Sequence, residues 1–311
     1  MNLISKILKR GLQAWLPCYL LLFSCASTAG QSHILLLLSG SDAPYQHFRQ
    51  AFEQNLPPGA RLEVHDLMQQ KDVPAQADLL VTVGTKAAQW AAANSRGPLL
   101  ATMLTSRNFA RIQAVHRAPK PVSALYLDQP WSRQVALLRA ALPARTRVGV
   151  LYADGGIFSS EPLRRELLQQ GAELITLPLR HGSSLAAHLN LLLAQSEVLL
   201  AVPDSEIYNS STIRNILLST YQRGVPLIGL SAAYVNAGAL CAVFSTPEQQ
   251  AAQSAGMAAT FLDTGHLPPA QFPQLYEIAL NAAVARSLRL NVRSIEALRI
   301  DIDRATTGST R

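Results

Sequence analysis

The stretch LLVTVGTKAAQWAAAN, from Leu79 to Asn94, decides the fold class. Its first five residues, Leu79–Val83, are almost all apolar and have the length of a buried strand. Gly84-Thr85-Lys86 then turns the chain into the alanine-rich segment Ala87–Asn94, which favours a helix. A strand that is apolar on both faces is typical of a parallel sheet covered by helices. The stretch therefore predicts one unit of an α/β protein.

The same strand–turn–helix pattern recurs on both sides of this stretch. The other apolar runs of this kind are His33–Leu38, Leu99–Met103, Arg147–Tyr152, Glu173–Leu177, Val198–Val202 and Pro226–Leu230. Short strands that alternate with helices, joined by short loops, form parallel sheets with crossover helices. The sequence therefore predicts an α/β protein with two Rossmann-like lobes, hinged, with a cleft between them.

We expect the chain to pass from the first lobe to the second near its middle, and a late segment to return to the first lobe. We assign residues 33–143 together with 241–303 to the first lobe, 145–240 to the second, and 304–311 to a flexible tail. Thr246-Pro247-Glu248-Gln249 has the pattern of a capped helix start, and that helix is expected to return to the first lobe. Several chain crossings between the lobes would then form a hinge.

Residues 1–29 have the pattern of a secretion signal. Lys6, Lys9 and Arg10 precede a leucine-rich stretch that is too short to span a bilayer. Two processing sites are open: cleavage after Ser27-Thr28-Ala29, or a lipobox that ends at Cys25 and would anchor the protein by a lipid. An uncleaved anchor is a third alternative. Either processed form predicts a periplasmic protein, free or anchored through Cys25.

Composition and charge exclude several classes of function. The chain has 311 residues, 49% of them hydrophobic, and a formal charge of +7. The basic residues are dispersed, so we expect no nucleic-acid partner. The seven histidines are also dispersed and no Cys/His cluster exists, so we expect no metal, no cofactor and no catalytic residue. We expect a monomer that is not an enzyme.

The loops at the carboxyl ends of the strands are the candidate ligand site, because ligands of open parallel sheets bind there. Helix N-termini at Gly84-Thr85-Lys86 suit an anionic group, and Asp204 is a candidate acceptor for a cationic or hydroxyl group. Each turn has the alternative of an ordinary helix start. The predicted ligand-binding residues are Ser41, Asp42, Tyr45, Gly84, Thr85, Lys86, Thr105, Asp154, Phe158, Asp204, Tyr208, Ser231 and Tyr234.

Several segments resemble one family of ABC-transporter substrate-binding proteins, the family that includes tryptophan and tyrosine binders. Ala77–Gln89 is similar to the family's D-L-I-V-x-x-x-T-x-A-A-Q segment, and Arg147–Tyr152 to its K-I-G-V-L-Y strand. Further similarities, in the family's order, are at Leu142-Pro143, Ala201–Asp204, Gly238–Leu240, Tyr276–Asn281 and Leu288–Ile300. The resemblance covers about residues 78–301 and implies the type I periplasmic-binding-protein fold.

The resemblance implies a receptor that closes around a small organic molecule and presents it to a membrane ABC permease. One departure concerns Gly229–Ala233, where the family often has an acidic residue and this chain has none. A free amino acid needs an acceptor for its ammonium group, so the departure argues against an aromatic amino acid as ligand. Two alternatives stay open: a periplasmic sensor or adaptor that docks on a sensor kinase or outer-membrane receptor, and a cytoplasmic nucleotide enzyme.

Overall fold

The computed structural model describes residues 32–69, 73–74, 77–115, 121–155 and 158–308. The predicted secretion signal and Cys25 lie outside these residues. Within the described part of the chain, no helix combines the length and the apolar character that a membrane crossing requires.

The first lobe is built on a parallel sheet with the strand order β2-β1-β3-β4-β5. Its elements in chain order are β1 (His33–Leu38), α1 (Ala43–Asn55), β2 (Arg61–Asp66), β3 (Leu79–Val83), α2 (Thr85–Asn94), β4 (Leu99–Leu104), α3 (Ser106–Val115) and β5 (Val122–Tyr126). β1 and β3 are apolar on both faces because helices cover both sides of the sheet. Phe48 and Phe52 of α1 are fully buried, with ring centroids 5.8 Å apart.

The second lobe is built on a sheet with the strand order β11-β10-β9-β8-β6-β7, in which only β11 is antiparallel to its neighbour among the described strands. The remaining elements are α4 (Trp131–Ala141), β6 (Arg147–Ala153), α5 (Glu161–Gln169), β7 (Glu173–Leu179), α6 (Leu185–Leu193), β8 (Val198–Leu200), α7 (Ile213–Gln222), β9 (Leu227–Gly229), α8 (Ala232–Ala237), β10 (Cys241–Phe244), α9 (Pro247–Thr264), β11 (Glu277–Leu280), α10 (Ala282–Ser287) and α11 (Ile295–Gly308).

The structure corrects the expected division of the chain. β10 and β11 pair within the second sheet, so residues 241–303 do not return to the first lobe as a whole. α9 and the segment after it do so: α9 begins with the predicted Thr246/Gln249 capping box and packs on α1, and Gln271 forms backbone hydrogen bonds with β5. α4, expected in the first lobe, buries Val135 and Leu138 in the second core. An amphipathic helix belongs to the lobe whose core its apolar face covers, and the order of elements along the chain does not reveal which lobe that is.

The expected flexible tail also needs correction. Residues 304–308 belong to α11, which packs on α4 and buries Leu298 and Ile302 completely. These apolar residues stand one turn apart and fix the helix on the second core. Cys241 is fully buried in β10, and burial raises the pKa of its thiol to about 12. Its role is therefore that of a small apolar core residue.

Three connections cross between the lobes: residues 127–130 before α4, 245–246 before α9, and 265–276 before β11. Side chains tie these crossings together. Gln129 Nε2 donates to Ser245 Oγ at 2.9 Å, and Ser245 Oγ donates to the Leu275 carbonyl at 2.6 Å. Gln129 is also held by Arg133 Nη1 at 2.5 Å. The crossings form one hydrogen-bonded strip beside the cleft, which we call the hinge strip.

Candidate functional site

A cavity of about 220 Å³ lies between the lobes at the carboxyl ends of both sheets. The first lobe and the first crossing line it with Thr105, Arg107, Asn108, Arg111, Leu127, Asp128 and Gln129. The helix α4 and the second lobe contribute Gln134, Pro203, Asp204, Ser205, Glu206, Tyr208, Gly229, Leu230 and Val243. Most of these residues are polar or charged, and Leu127, Leu230 and Val243 supply apolar surface. The cavity has the composition of a small-molecule site.

The end of β4 directs the first-lobe residues into this cavity. Met103 has a φ of +50°, and the pairing of β4 with β5 shifts register between Thr102 and Leu104. This irregular strand end turns the chain directly into α3, whose first residue is Ser106. The first turn of α3 thereby presents Arg107 and Asn108 to the cleft.

An ion pair joins the two lobes across the cavity. Arg107 Nη1 lies 3.2 Å from Asp204 Oδ2, and the two side chains are only 15% and 2% exposed. Asp204 also accepts hydrogen bonds from the backbone amides of Ala153 at 2.9 Å and Glu206 at 3.1 Å. The carboxylate is thus fixed in the second lobe by backbone donors and reaches the first lobe through Arg107.

Asp128, at the end of β5, secures the start of α3. Its two carboxylate oxygens accept from the Ser106 amide at 2.7 Å and the Ser106 hydroxyl at 2.6 Å. Burial raises the pKa of Asp128 above its ordinary value, and these hydrogen bonds only partly oppose the effect. Asp128 therefore orients the helix turn that carries Arg107.

Two tyrosines shape the second-lobe wall. Tyr208 is buried, and burial raises the pKa of its hydroxyl above the ordinary value. The Tyr234 hydroxyl donates to the Tyr208 carbonyl at 3.1 Å. Gly229 leaves room for Tyr234, because a Cβ at Gly229 would lie 2.6 Å from the Tyr234 Cβ. Tyr234 thus supports the cavity wall from behind.

The model of the ABC transporter substrate-binding protein family matches residues 60–304, which is most of the chain. The chain belongs to this family. No curated protein sequence matches it.

Solved structures agree with the fold of this substrate-binding protein family member. A conserved domain protein from Vibrio cholerae is 19% identical, with a TM-score of 0.62 over 87% of this chain and 98% of the other. An ABC domain from Streptococcus pneumoniae, in complex with L-Trp, is 18% identical, with a TM-score of 0.62 over 86% and 98%. A ligand-free, open substrate-binding protein from Clostridium difficile is 17% identical, with a TM-score of 0.65 over 86% and 97%. The fold is the predicted type I periplasmic-binding-protein fold.

Three of the predicted ligand-binding residues line the cavity of this family member: Thr105, Asp204 and Tyr208. Two others lie directly behind it. The Thr85 hydroxyl accepts from Asn108 Nδ2 at 3.2 Å, and Tyr234 supports Tyr208. Phe158 lines an adjoining cavity with Arg107 and Trp131. Its ring is edge-on to that of Trp131, with ring centroids 6.2 Å apart.

The other predicted residues do not line the cavity between the lobes. Ser41, Asp42, Lys86 and Asp154 are exposed, and Asp154 faces Arg180 at 3.9 Å on the surface. Tyr45 and Gly84 pack against each other beside Ser39, in the turns after β1 and β3. Ser231 precedes α8 at its N-cap position, without a capping hydrogen bond from its side chain. The structure thus leaves these residues apart from the group around Asp204.

Sequence reasoning missed Arg107, Asn108, Arg111, Asp128, Gln129, Gln134 and Glu206. Asp128 had a usable signal in the sequence, because it directly follows the mostly apolar segment Val122–Leu127, which has the pattern of a strand. Arg107 had a weaker signal, since it lies two residues beyond Thr105, a predicted ligand-binding residue. Gln129 and Gln134 had none, because their place in the cleft depends on how α4 docks. Among the described residues, no group of three or more His, Cys, Asp or Glu side chains could hold a metal.

Proposed function

We propose that this protein is an exported receptor that captures a small organic molecule in the cavity between its lobes and delivers it to an ABC permease. The observation that carries the proposal is that both lobes line one cavity with polar side chains, joined across it by Arg107 and Asp204. A ligand that contacts both lobes binds the closed arrangement more tightly than the open one. Such differential affinity drives closure without any covalent step.

Family membership supports the transport role, and the neighbours include a protein solved with L-Trp. The basic and leucine-rich segment within residues 1–29 supports export to the periplasm. Two processed forms remain part of the proposal, a free protein and one anchored by a lipid on Cys25. Metabolic labelling with a fatty acid distinguishes them: label that disappears with Cys25→Ala indicates the anchored form.

A thermal-shift screen of the processed protein tests ligand capture. The panel contains amino acids, nucleobases, vitamins, sugars and small carboxylates. A compound present at about 100 times its dissociation constant stabilises the fold by about 2.7 kcal/mol, which is a readily measured shift. Loss of the shift in Asp204→Asn, with no loss in Asp154→Asn on the surface, would place the ligand in the cavity.

Uptake of the identified compound by cells tests the second half of the proposal. Deletion of this protein should abolish high-affinity uptake, and the Asp204→Asn variant should fail to restore it. Normal uptake in the deletion strain would instead favour a sensor or adaptor that docks on a sensor kinase or outer-membrane receptor.

A further inference from the structure

We propose that the ligand of the cleft is a small organic carboxylate with an apolar body, and that Arg107 receives its carboxylate. The inference rests on the proposed function and adds the chemical class of the ligand. Asp204 is then a positioning residue that holds Arg107, and it does not contact the ligand's charge.

Arg107 has donors that the protein leaves unused. A guanidinium group carries five N–H donors, and Asp204 takes one at Nη1. The Nε atom is buried with no hydrogen-bond partner, and Nη2 has none among the described residues. Nη2 carries two N–H donors, and either can form a charge-assisted hydrogen bond to a carboxylate oxygen. Because Arg107 lines the cavity, a ligand acceptor can pair with donors that the protein leaves unpaired.

Both oxygens of each buried carboxylate of the cavity accept a hydrogen bond from the protein. Asp204 accepts from two backbone amides and from Arg107. Asp128 accepts from two groups of Ser106, and its raised pKa shows that burial disfavours its charge. Glu206 and Arg111 are exposed at the rim, where water screens both charges. The interior therefore offers unpaired donors on Arg107, whereas both oxygens of each buried carboxylate already have a donor from the protein.

The remaining surface of the cavity fits an apolar body of modest size. Leu127, Leu230 and Val243 are among the residues that line it, and the volume of about 220 Å³ is below the usual range for drug-sized ligands. Asn108 and Thr105 stand beside Arg107 and can hydrogen-bond the outer oxygen of a carboxylate.

Calorimetric titration of the processed protein with matched pairs tests the ligand class. The probes are 4-methylpentanoate against 4-methylpentanamide, and phenylacetate against phenylacetamide, which keep the shape and remove the charge. We expect at least one acid to bind about ten- to hundredfold more tightly than its amide, because the hydrogen bonds to a charged group are lost. Equal affinity within both pairs overturns the proposal.

A parallel series of neutral sugars and amines separates this inference from the proposed function. If a sugar or an amine binds in the cavity and no acid does, the receptor function stands and the carboxylate inference is wrong. If no compound of any class binds, the proposed function fails together with the inference.

Variants of the guanidinium group test its role. Arg107→Gln should weaken binding of the acid about ten- to hundredfold and leave the amide unaffected. Arg107→Lys keeps a positive charge beside Asp204, which protects the fold. Its affinity for the acid should lie between those of the parent and Arg107→Gln. The control is Arg180→Gln, which removes the same charge from a residue with an 81% exposed side chain. Unchanged acid binding in Arg107→Lys and Arg107→Gln contradicts the proposal.

The positioning role of Asp204 has its own readout. Asp204→Asn should reduce the preference for the acid over its amide, because Arg107 loses its fixed orientation. A general loss of packing would instead weaken both compounds equally, and that result would overturn the positioning role.

Discussion

The turns after β1 and β3 and the turns after β4 and β8 occupy equivalent places, at the carboxyl ends of parallel strands, yet only the second pair forms the cavity. In the first pair the polar groups satisfy one another: Ser39 Oγ accepts from the Ala87 amide at 2.9 Å, and Tyr45 covers Gly84. In the second pair, Arg107 and Asp204 meet from opposite lobes at 3.2 Å.

The contrast shows that these strand ends line the cavity only where the second lobe faces them. The first-lobe sheet runs β2-β1-β3-β4-β5, so β4 and β5 lie at the side from which the chain crosses to α4. The hinge strip brings the second lobe over this side. β1 and β3 stand farther along the sheet, and their turns close on themselves.

We expect the largest loss of stability from Asp204→Ala, at the turn after β8. The change leaves the buried Arg107 guanidinium and two backbone amides without their acceptor, which should lower the free energy of unfolding by about 3 kcal/mol. Denaturant unfolding measures it. Asp154→Ala, which breaks an exposed pair with Arg180, should stay within about 0.5 kcal/mol of the parent. Equal losses of unfolding free energy in both variants would show that the ion pair across the cleft stabilises the protein no more than an exposed pair does.

Gly84→Ala is expected to affect stability and not ligand binding. Gly84 has a φ of +90°, and a Cβ there would lie 2.7 Å from Ser39 Oγ. The strain and the close contact should together cost about 2 kcal/mol. Gly59→Ala, at a φ of +89° with open space around it, should cost about 1 kcal/mol. A weaker affinity of folded Gly84→Ala for a cleft ligand would restore the turn after β3 to the site.

Ser245→Ala tests the hinge strip that separates the two pairs of turns. The change removes the acceptor of Gln129 and the donor to Leu275, with an expected cost of about 1 to 2 kcal/mol. Small-angle scattering should also show more open lobes, because two crossings lose their link. The matched control is Ser254→Ala in α9, whose hydroxyl bonds only the Gln250 carbonyl one turn earlier, and which should change stability by less than about 0.5 kcal/mol.

The smallest effect is the pH dependence that Asp128 contributes. Because its folded pKa is raised above the ordinary 3.8, the folded state binds more protons than the unfolded state between these two values. Stability from this group therefore falls as pH rises from about 3.8 through the raised pKa. As pH rises through this window, the free energy of unfolding of the parent should fall relative to that of Asp128→Asn. A shift in the opposite direction would show that the Ser106 hydrogen bonds outweigh burial.

Much of the fold follows from local sequence. The apolar runs around Val81 and Val150, the turns between them, and the Thr246/Gln249 capping box predict strands, helices and two parallel sheets. The structure has both sheets, with β11 antiparallel at the edge of the second. For α3 the sequence offers a helix start near Thr105 as an alternative to a ligand contact, and the structure gives the helix its extent, Ser106–Val115. Asp204 was found because it follows a buried strand, the one local rule that points to the cleft.

From the sequence alone follow the α/β class, the two lobes and the sheet edges at which to look for a cavity, since strand burial and helix periodicity are local properties of the chain. Only the tertiary structure decided that β10 and β11 join the second sheet, that α4 leaves the first, and which strand ends face each other. These choices depend on contacts between residues far apart in sequence. Arg107 and Asp204 are 97 residues apart, and no local pattern records that they meet.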